Sequence, residues 1–398
     1  MNNKENLLPT VMSDKTPSSM QAYLETQWQR VTRRRSFLKN LGIFSATLSA
    51  APLLTLEGRA EHQQKRSSSS SLPDGDVAIL KLLAAAEVLE SDLWSQYAEL
   101  GGTAATTSDE EFQGFIGGNA AYTKALQNLD SDMPQYITDN TDDELSHAAF
   151  INAYLVAHGA QPVDLSAFQT LNGSTATGSQ PGKKRLTNLK SLNVDTSFYT
   201  RYRSKQNPDL GATFTGPVTI TGRQAIPIND ADTTDPNHIQ AVANTAAFHF
   251  AFIEVGGSSL YPTMALKVSN LEVLRIVLSI GGVEIDHFSL WHDKLGNAVS
   301  KPVAPLTDGG LTFPDLNAVS ASQLELTQTN KILAEPCQFL DPSLPNCSII
   351  RPISTPLNGA MAAVKGLIAD QLFAGQPAAF FETITNLAAA ADAAERDG

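Results

Sequence analysis

The sequence predicts an all-α protein built on a four-helix bundle with one long crossover connection. Apolar residues recur at three- and four-residue spacing in four long segments, as they do along the buried face of a helix. A stretch rich in Gly, Pro, Ser, Thr and Asn, residues 159–235, separates the second of these segments from the third. The four long helices are residues 76–100, 141–158, 237–268 and 270–295. The first two form one pair and the last two form the other, which is the connectivity of a bundle with a long crossover. With 42% hydrophobic and 17% charged residues, the 398-residue chain can form a large core.

The first half of the body contains three predicted helices. They are residues 76–100, 109–129 and 141–158. Gly101 and Gly102 would end the first helix, because glycine is favoured just past a helix C-terminus. Gly117 and Gly118 interrupt the second. Thr141 is the candidate N-cap of the third, since acidic residues follow it in what would be the first turn.

The second half contains four predicted helices. They are residues 237–268, 270–295, 357–374 and 377–395. Pro262 would kink or break the first of these, and the second begins at Asn270. The crossover has strand character only in residues 214–220, and residues 297–350 are rich in loop-forming residues.

The charge balance excludes nucleic acid as a partner. The chain has 28 basic and 41 acidic residues and a net charge of −13. Because the N-terminal 60 residues are basic on balance, the rest of the chain is more acidic still. The part of the chain after residue 60 therefore has no broad basic surface that could bind the phosphate backbone of a nucleic acid. Two cysteines are too few for a disulfide framework or a cysteine-rich zinc site.

The N-terminus predicts export. Arg34 and Arg35 are followed by Ser-Phe-Leu-Lys, and residues 41–56 form a short, weakly apolar run. This run is too short to span a bilayer but suits the apolar region of a signal peptide. It resembles a bacterial twin-arginine signal. We therefore expect residues 1–60 to be an export signal read by the twin-arginine machinery, residues 61–74 a flexible linker, and the protein periplasmic or extracellular.

Two of the predicted bundle helices carry the pattern Glu-x-x-His. The pairs are Glu144 with His147 and Glu284 with His287. Residues three apart lie on one face of a helix, so each carboxylate and imidazole can bind neighbouring metal ions. Roughly 0.3 such pairs are expected by chance from the numbers of Glu and His in the chain. Two occurrences, each on the second helix of a pair, indicate a metal site.

The first helix of each pair offers one glutamate in an apolar setting. These are Glu90 and Glu254. Glu87 is the alternative to Glu90, because it lies one turn earlier on nearly the same face. Glu90 is preferred because a tyrosine follows both Glu90 and Glu254 seven residues later, at Tyr97 and Tyr261. With that alignment the two halves look like a diverged internal repeat.

This pattern resembles the ferritin-like di-metal carboxylate superfamily. Residues 282–287, Gly-Val-Glu-Ile-Asp-His, are similar to the fourth-helix motif of exported ferritin-like proteins related to desiccation-associated proteins. The resemblance implies a ferritin-like bundle at residues 75–296, with residues 159–235 as an insertion. Residues 297–398 would be a loop-rich extension with two helices. It further implies a pair of iron or manganese ions, which are suited to oxygen and imidazole donors. The implied ligands are Glu90, Glu144, His147, Glu254, Glu284 and His287.

Two functions remain open at this level. The resemblance implies a redox-active centre that reacts with O2 or hydrogen peroxide, with a small-molecule oxidant or substrate. The alternative is a non-catalytic stress-protection or binding protein with a structural or vestigial metal site. Oligomeric state is not predicted. We also expect Cys337 and Cys347, ten residues apart, to form a disulfide, since an exported protein meets an oxidising compartment.

Overall fold

Helices dominate the protein. The computed structural model describes residues 71–103, 118–202, 214–318, 334, 341, 343–349 and 359–396. The helices in these ranges are α1 (Asp74–Gly101), α2 (Ala120–Leu129), α3 (Met133–Ala157), α4 (Ser197–Arg201), α5 (Pro236–Ala265), α6 (Leu271–Ala298), α7 (Gly359–Ala369) and α8 (Ala378–Asp392). The strands are β1 (Leu171–Asn172), β2 (Lys184–Arg185), β3 (Leu306–Asp308) and β4 (Leu311–Phe313), and short 3₁₀ turns lie at Ser166–Phe168 and Asp230–Thr233.

The four long helices form the predicted bundle. Helix α1 packs along α3, and α5 packs along α6, with the long crossover between the two pairs. The all-α prediction is therefore confirmed. Among the described residues, no helix combines the length and the apolar character that crossing a membrane requires.

Side-chain caps fix the starts of the second helix pair. Asp235 accepts a hydrogen bond from the backbone N–H of Asn237, and Pro236 occupies the first helical position, where its missing N–H costs nothing. Asn270 accepts from two backbone N–H groups in the first turn of α6, as expected for an N-cap. The predicted start of α6 is confirmed. Pro262 lies inside α5, which continues to Ala265.

Helix α3 begins earlier than predicted. It starts at Met133, with Pro134 in its first turn, so Thr141 lies in the middle of the helix. The Thr141 hydroxyl donates to the backbone oxygen of Ile137 at 2.6 Å, one turn back. The N-cap prediction for Thr141 is therefore wrong. The acidic residues after Thr141 have the composition of a first helical turn, but they lie inside the helix.

The predicted elements in the middle of the chain also need correction. Helix α2 begins only after Gly118, whose φ of 62° few other residues adopt, and Asn119 caps it. Residues 104–117, which include the first part of the predicted 109–129 helix, lie outside the described residues. Residues 214–220 form no strand. The strands of the crossover are instead the short antiparallel pair β1–β2.

The crossover is tied to the outer face of α1. Asp92 on α1 accepts hydrogen bonds from the backbone N–H groups of Leu186 at 3.0 Å and Thr187 at 2.9 Å. Arg185 forms a buried ion pair with Glu99 at 2.5 Å. Buried charges are stable only when paired, so these contacts hold the insertion in one place. The described part of the crossover therefore covers the outer face of the first helix.

The C-terminal helices pack back onto the bundle. Helix α8 lies against α1, and α7 contacts both α5 and α8. The Asp392 carboxylate accepts from the backbone N–H groups of Ala360 at 3.0 Å and Met361 at 2.9 Å, which satisfies the first turn of α7. Lys267, just after α5, donates to the backbone oxygen of Asp392 at 2.7 Å.

Two sequence predictions fall largely outside the described residues. The predicted export signal, residues 1–60, lies outside them, as do residues 61–70 of the linker. Cys337 does too, whereas Cys347 is exposed and has no disulfide partner among the described residues. Export and the disulfide therefore stay predictions.

Candidate metal centre

Six buried side chains converge between the four long helices. Two come from α3, two from α6, and one each from α1 and α5. They are Glu87, Glu144, His147, Glu254, Glu284 and His287, and none of these residues is more than 7% exposed. The three-residue spacing on α3 and α6 places each glutamate and its histidine on the inward face.

The six residues form two overlapping groups. One group is Glu87, Glu144, His147 and Glu284; the other is Glu144, Glu254, Glu284 and His287. In each group every residue offers one ligand atom, and those atoms all lie within 4.8 Å of one another. Because both groups contain Glu144 and Glu284, the arrangement offers two neighbouring ion positions with two shared carboxylates.

The half of the cluster on α1 and α3 centres on His147. Its Nδ1 atom lies 3.3 Å from both Glu87 Oε2 and Glu144 Oε2. Glu284 Oε1 is 3.4 Å from the same nitrogen. The hydroxyl of Tyr261, on α5, donates a hydrogen bond to Glu87 Oε1. A phenol from the other helix pair therefore orients this carboxylate.

The half on α5 and α6 centres on His287. Its Nδ1 atom lies 3.0 Å from Glu144 Oε1 and 3.5 Å from Glu254 Oε2. The Asn140 amide donates to Glu144 Oε1 at 2.9 Å and to Glu254 Oε1 at 3.1 Å. The outer nitrogen of His287, Nε2, lies 3.1 Å from Asp143 Oδ2. A carboxylate on the outer nitrogen fixes the orientation of a metal-binding imidazole.

Several atoms that face the centre lack hydrogen bonds. Glu87 Oε2, Glu254 Oε2, both carboxylate oxygens of Glu284 and the Nδ1 of His287 have no hydrogen-bond partner of good geometry among the described residues. Unpaired buried polar atoms are costly, so their convergence is typical of a site that binds a cation. Four carboxylates balance the charge of two divalent ions. Oxygen and imidazole donors without thiolate suit iron or manganese, and the site fits such a pair.

The electrostatics of the cluster favour bound cations. Burial raises the pKa of Glu87 to about 7 and, together with the neighbouring carboxylates, raises the pKa of Glu284 well above its usual range. Burial also opposes ionisation of Glu144, but the two imidazoles outweigh it and hold the pKa of Glu144 below its usual range. Burial works against charged histidines as well, yet the surrounding carboxylates raise the pKa values of His147 and His287. Without metal, the cluster therefore retains protons, which cations would displace.

Helix α5 leaves room for one of the shared carboxylates. A Cβ atom at Gly257 would overlap the Oε2 atom of Glu284. Gly257 lies three residues after Glu254, as Glu90 lies three residues after Glu87. When α1 and α5 are aligned so that Glu87 matches Glu254, Glu90 on α1 corresponds to Gly257 on α5. At this position α5 admits the Glu284 carboxylate from α6.

The structure brings five of the six predicted ligands together in the two groups. The five are Glu144, His147, Glu254, Glu284 and His287. Glu90 belongs to neither group, and Glu87, the alternative one turn earlier, lies in its place. Glu90 is partly exposed but lies near the cluster, since burial and the charges of the cluster glutamates raise its pKa well above the usual range. Metal ligation by these residues remains a prediction.

The two tyrosines on which the preference for Glu90 rests have other partners in the structure. Tyr261 reaches across the bundle to Glu87 instead of lying over Glu254. Tyr97 forms a hydrogen bond with His249 at 2.7 Å. A seven-residue spacing reports a shared helix face but does not reveal a contact between helices. The sequence reasoning also missed Asn140, although it lies on α3 one turn before Glu144.

Comparison with known proteins agrees with this geometry. A family model described as a ferritin-like domain matches residues 75–297, more than half of the chain. Searches of curated proteins and of solved structures find no significant match. The matched segment contains every residue of the cluster and the crossover between the two helix pairs. The chain therefore belongs to the ferritin-like domain family.

Proposed function

We propose that this protein holds two iron or manganese ions and reacts with O2 or hydrogen peroxide. The observation that carries the proposal is the pair of buried groups that share Glu144 and Glu284. When bound, such ions supply the electrons for reduction of a small oxidant. The chain supplies the donor atoms, holds the imidazoles in place and keeps the charge of the centre neutral.

The surroundings of the cluster suit small, uncharged reactants. Trp94, Phe250 and Trp291 pack in one aromatic group beside it, with ring centroids 4.6 to 5.3 Å apart. Among the described residues, the cluster carboxylates form ion pairs only with His147 and His287. A large anionic substrate would therefore find no cationic anchor within the cluster. Oxygen and hydrogen peroxide need none.

The test is oxidant consumption by metal-loaded protein. Protein loaded with iron or manganese should consume hydrogen peroxide or O2 faster than the same amount of free metal. Glu144→Ala and Glu284→Ala should each abolish this activity while helix content is retained, because each removes a shared carboxylate. Glu382→Ala is the matched control, since Glu382 is an exposed glutamate on α8.

An inert loaded protein would contradict the catalytic proposal. If neither oxidant is consumed, or if the two Ala variants react as fast as the unsubstituted protein, the cluster has no catalytic role. Metal that raises the melting temperature of an inert protein would instead support the non-catalytic, structural alternative.

We also propose that the chain is exported through the twin-arginine route. The support is the Arg34–Arg35 pair and the apolar run that follows it. Replacing both arginines by lysine should leave the precursor in the cytoplasm, whereas Arg59→Lys should not. Normal export of the double variant would contradict the proposal. In the exported protein, Cys337 and Cys347 should resist alkylation until a reductant is added.

A further inference from the structure

The outward face of α6 carries a row of exposed apolar side chains. Leu271, Leu278 and Ile285 are 71%, 58% and 37% exposed. They are seven residues apart, close to two helical turns, so they lie in one row along the helix. Six large hydrophobic side chains are exposed among the described residues, and half of them belong to this row. A concentration of exposed apolar surface marks a place of interaction with another molecule.

A second row of exposed residues follows the first along α6. Its members each lie four residues after a member of the apolar row, and they are Arg275, Gly282 and Ser289. Together the two rows alternate at spacings of four and three residues. This is the spacing of the seam along which two helices pack in a coiled coil. We call these six positions, Leu271, Arg275, Leu278, Gly282, Ile285 and Ser289, the α6 seam.

Packing within one copy of the chain does not explain the glycine of the α6 seam. Glycine inside a helix is destabilising relative to alanine. At the neighbouring Gly281 the reason lies inside the bundle, because a Cβ atom there would come within 2.8 Å of the Cβ of Tyr261. A Cβ atom at Gly282 would meet nothing within 4 Å. The missing side chain at Gly282 therefore suits a close approach from outside the molecule.

The α6 seam is complementary to itself when two copies run antiparallel. In the register that places Leu278 over Gly282 of the partner subunit, the two-fold axis also places Gly282 under the partner's Leu278. The same register brings Leu271 opposite Ser289 of the partner subunit. A large side chain therefore meets a small one in each of these layers, as close packing between helices requires. In a parallel pair Gly282 would face Gly282 of the partner subunit and leave a gap.

The charges beside the seam favour the same orientation. In the antiparallel register, Arg275 lies opposite Ile285 of the partner subunit and next to the partner's Asp286. The two-fold axis repeats this pair of opposite charges on the other side of the interface. Both Arg275 and Asp286 are exposed and so are available to a second molecule. A parallel pair would instead bring the two Arg275 side chains together, and like charges repel.

We infer that the α6 seam is the interface of a homodimer, in which α6 of a second copy of this chain packs antiparallel against it. The occupant is a second copy because the seam supplies both the large and the small positions and both signs of charge. Helix α6 holds Glu284 and His287 inside the bundle, so the dimer has one candidate metal centre behind each helix of the pair. A single pair of helices is a small interface, so the two copies should exchange at micromolar concentrations.

The first test is the mass of the full chain by sedimentation equilibrium over a range of micromolar concentrations. The unsubstituted protein should approach twice the monomer mass of 42.6 kDa. Leu278→Asp and Gly282→Gln should each raise the dissociation constant by about a hundredfold or more, because each change occurs in both copies. Leu344→Asp and Gly366→Gln are the matched controls and should leave it unchanged. Leu344 is also an exposed leucine, and a Cβ atom at Gly366 on α7 also meets nothing within 4 Å.

The second test exchanges the charges beside the seam and reports the orientation. Arg275→Glu and Asp286→Arg should each weaken the dimer by about tenfold, since each replaces two exposed attractive pairs with repulsive ones. An equimolar mixture of the two variants should dimerise as tightly as the unsubstituted protein. In the mixed dimer every charge at position 275 faces an opposite charge at position 286. A parallel pair would not bring these two positions together, so its mixture would show no rescue.

Three results would overturn the inference. The first is a monomer mass at every concentration, and the second is a dimer that persists in both Leu278→Asp and Gly282→Gln. The third is a mixture of the charge variants that is no tighter than either alone, which would exclude the antiparallel register. If another segment of the same chain covers the seam, Leu278→Asp should lower the melting temperature of a monomer, which also contradicts a dimer. Gly282→Gln places a good helix former at an open position, so it decides the question even if Leu278→Asp fails to fold.

Discussion

The two halves of the glutamate–histidine cluster contain the same residue types but have different hydrogen-bonding neighbours. On the α1/α3 side, Glu87 accepts from the phenol of Tyr261. On the α5/α6 side, Glu254 accepts from the amide of Asn140, which also binds the shared Glu144. Supporting groups tune the basicity of a ligand and the properties of the ion it binds. A repeated ligand pattern therefore does not make the two ion positions equivalent.

The halves also differ in the number of carboxylates. Glu90 gives the α1/α3 side an additional acidic group, where the α5 side has Gly257. Burial and the neighbouring cluster carboxylates raise the pKa of Glu90 well above its usual range, so this additional carboxyl holds a proton beside the cluster. The two helix pairs therefore differ in the residues around similar glutamate and histidine positions. We expect the α1/α3 position to exchange its ion and protons more readily.

The largest effect on metal content should distinguish the carboxylates common to both groups from those that belong to one group only. Glu284→Ala removes a carboxylate common to both groups, so we expect almost no bound metal. Glu254→Ala removes a ligand from one group only, and about half of the metal should remain. Elemental analysis after removal of excess metal measures the difference. Equal metal content in the two variants would contradict the prediction that Glu284 contributes to both ion positions.

The next effect concerns pH. Because the pKa of Glu87 is raised to about 7 in the folded, metal-free protein, the folded state binds more protons than the unfolded state between pH 4.5 and 7. The stability that this group contributes is present at pH 4.5 and is lost as the pH rises through 7, on the order of 3 kcal/mol. His147 and His287, whose pKa values are also raised, act in the same direction.

Metal should reverse this dependence. Cations bind the deprotonated cluster, so affinity should fall as the pH drops below about 7. Melting temperatures measured from pH 5 to 8 should therefore decline with pH for metal-free protein and rise with pH for loaded protein. Parallel curves in the two states would show that metal and protons do not compete for these residues.

A smaller effect should distinguish Glu87 from Glu90. Glu87→Gln keeps the size of the side chain but removes its charge, and it should lower the affinity of the α1/α3 position by about tenfold or more. Glu90→Gln should change that affinity by less, since Glu90 lies outside both ligand groups. Titration with manganese, followed by its paramagnetic signal, measures both variants. A larger loss in Glu90→Gln would restore the register that the sequence indicates.

The smallest effects should come from the supporting residues. Tyr261→Phe removes the hydrogen bond to Glu87 and should weaken only the α1/α3 position. Asp143→Asn removes the charged partner of His287 and should weaken only the α5/α6 position. We expect the second change to be the weaker one, because the Asp143 side chain is 49% exposed and water screens it. The same titration, resolved by ion position, tests the pair.

The sequence predicted the parts of the site that depend on local geometry. The Glu-x-x-His pairs work because residues three apart on a helix share a face in any fold. The same rule does not distinguish Glu87 from Glu90, because the two residues share a face of α1 and only the packing of α1 against the other helices separates them. The hydrogen bonds of Tyr261 and Tyr97 join distant segments, and no local pattern in the sequence encodes them.

The fold shows the same limit. Four long helices and the N-cap at Asn270 follow from periodicity and capping chemistry. The start of α3 at Met133 does not follow from the sequence in this way. Thr141 and the acidic residues after it have the composition of a helix start, but the helix begins two turns before them. The short β1–β2 pair in the crossover carries too few residues to show a pattern at all.

The C-terminal helices extend the packed core beyond the four-helix bundle. Leu82 and Leu89 of α1 line an apolar cavity jointly with residues of α7 and α8. Asp370, after α7, pairs with a histidine in the bundle core. A chain ending at residue 297, where the family match stops, would expose this face of α1 to water and leave His249 without its carboxylate. The segment that the family model matches is thus shorter than the packed core, because residues after 297 cover part of α1 and α5.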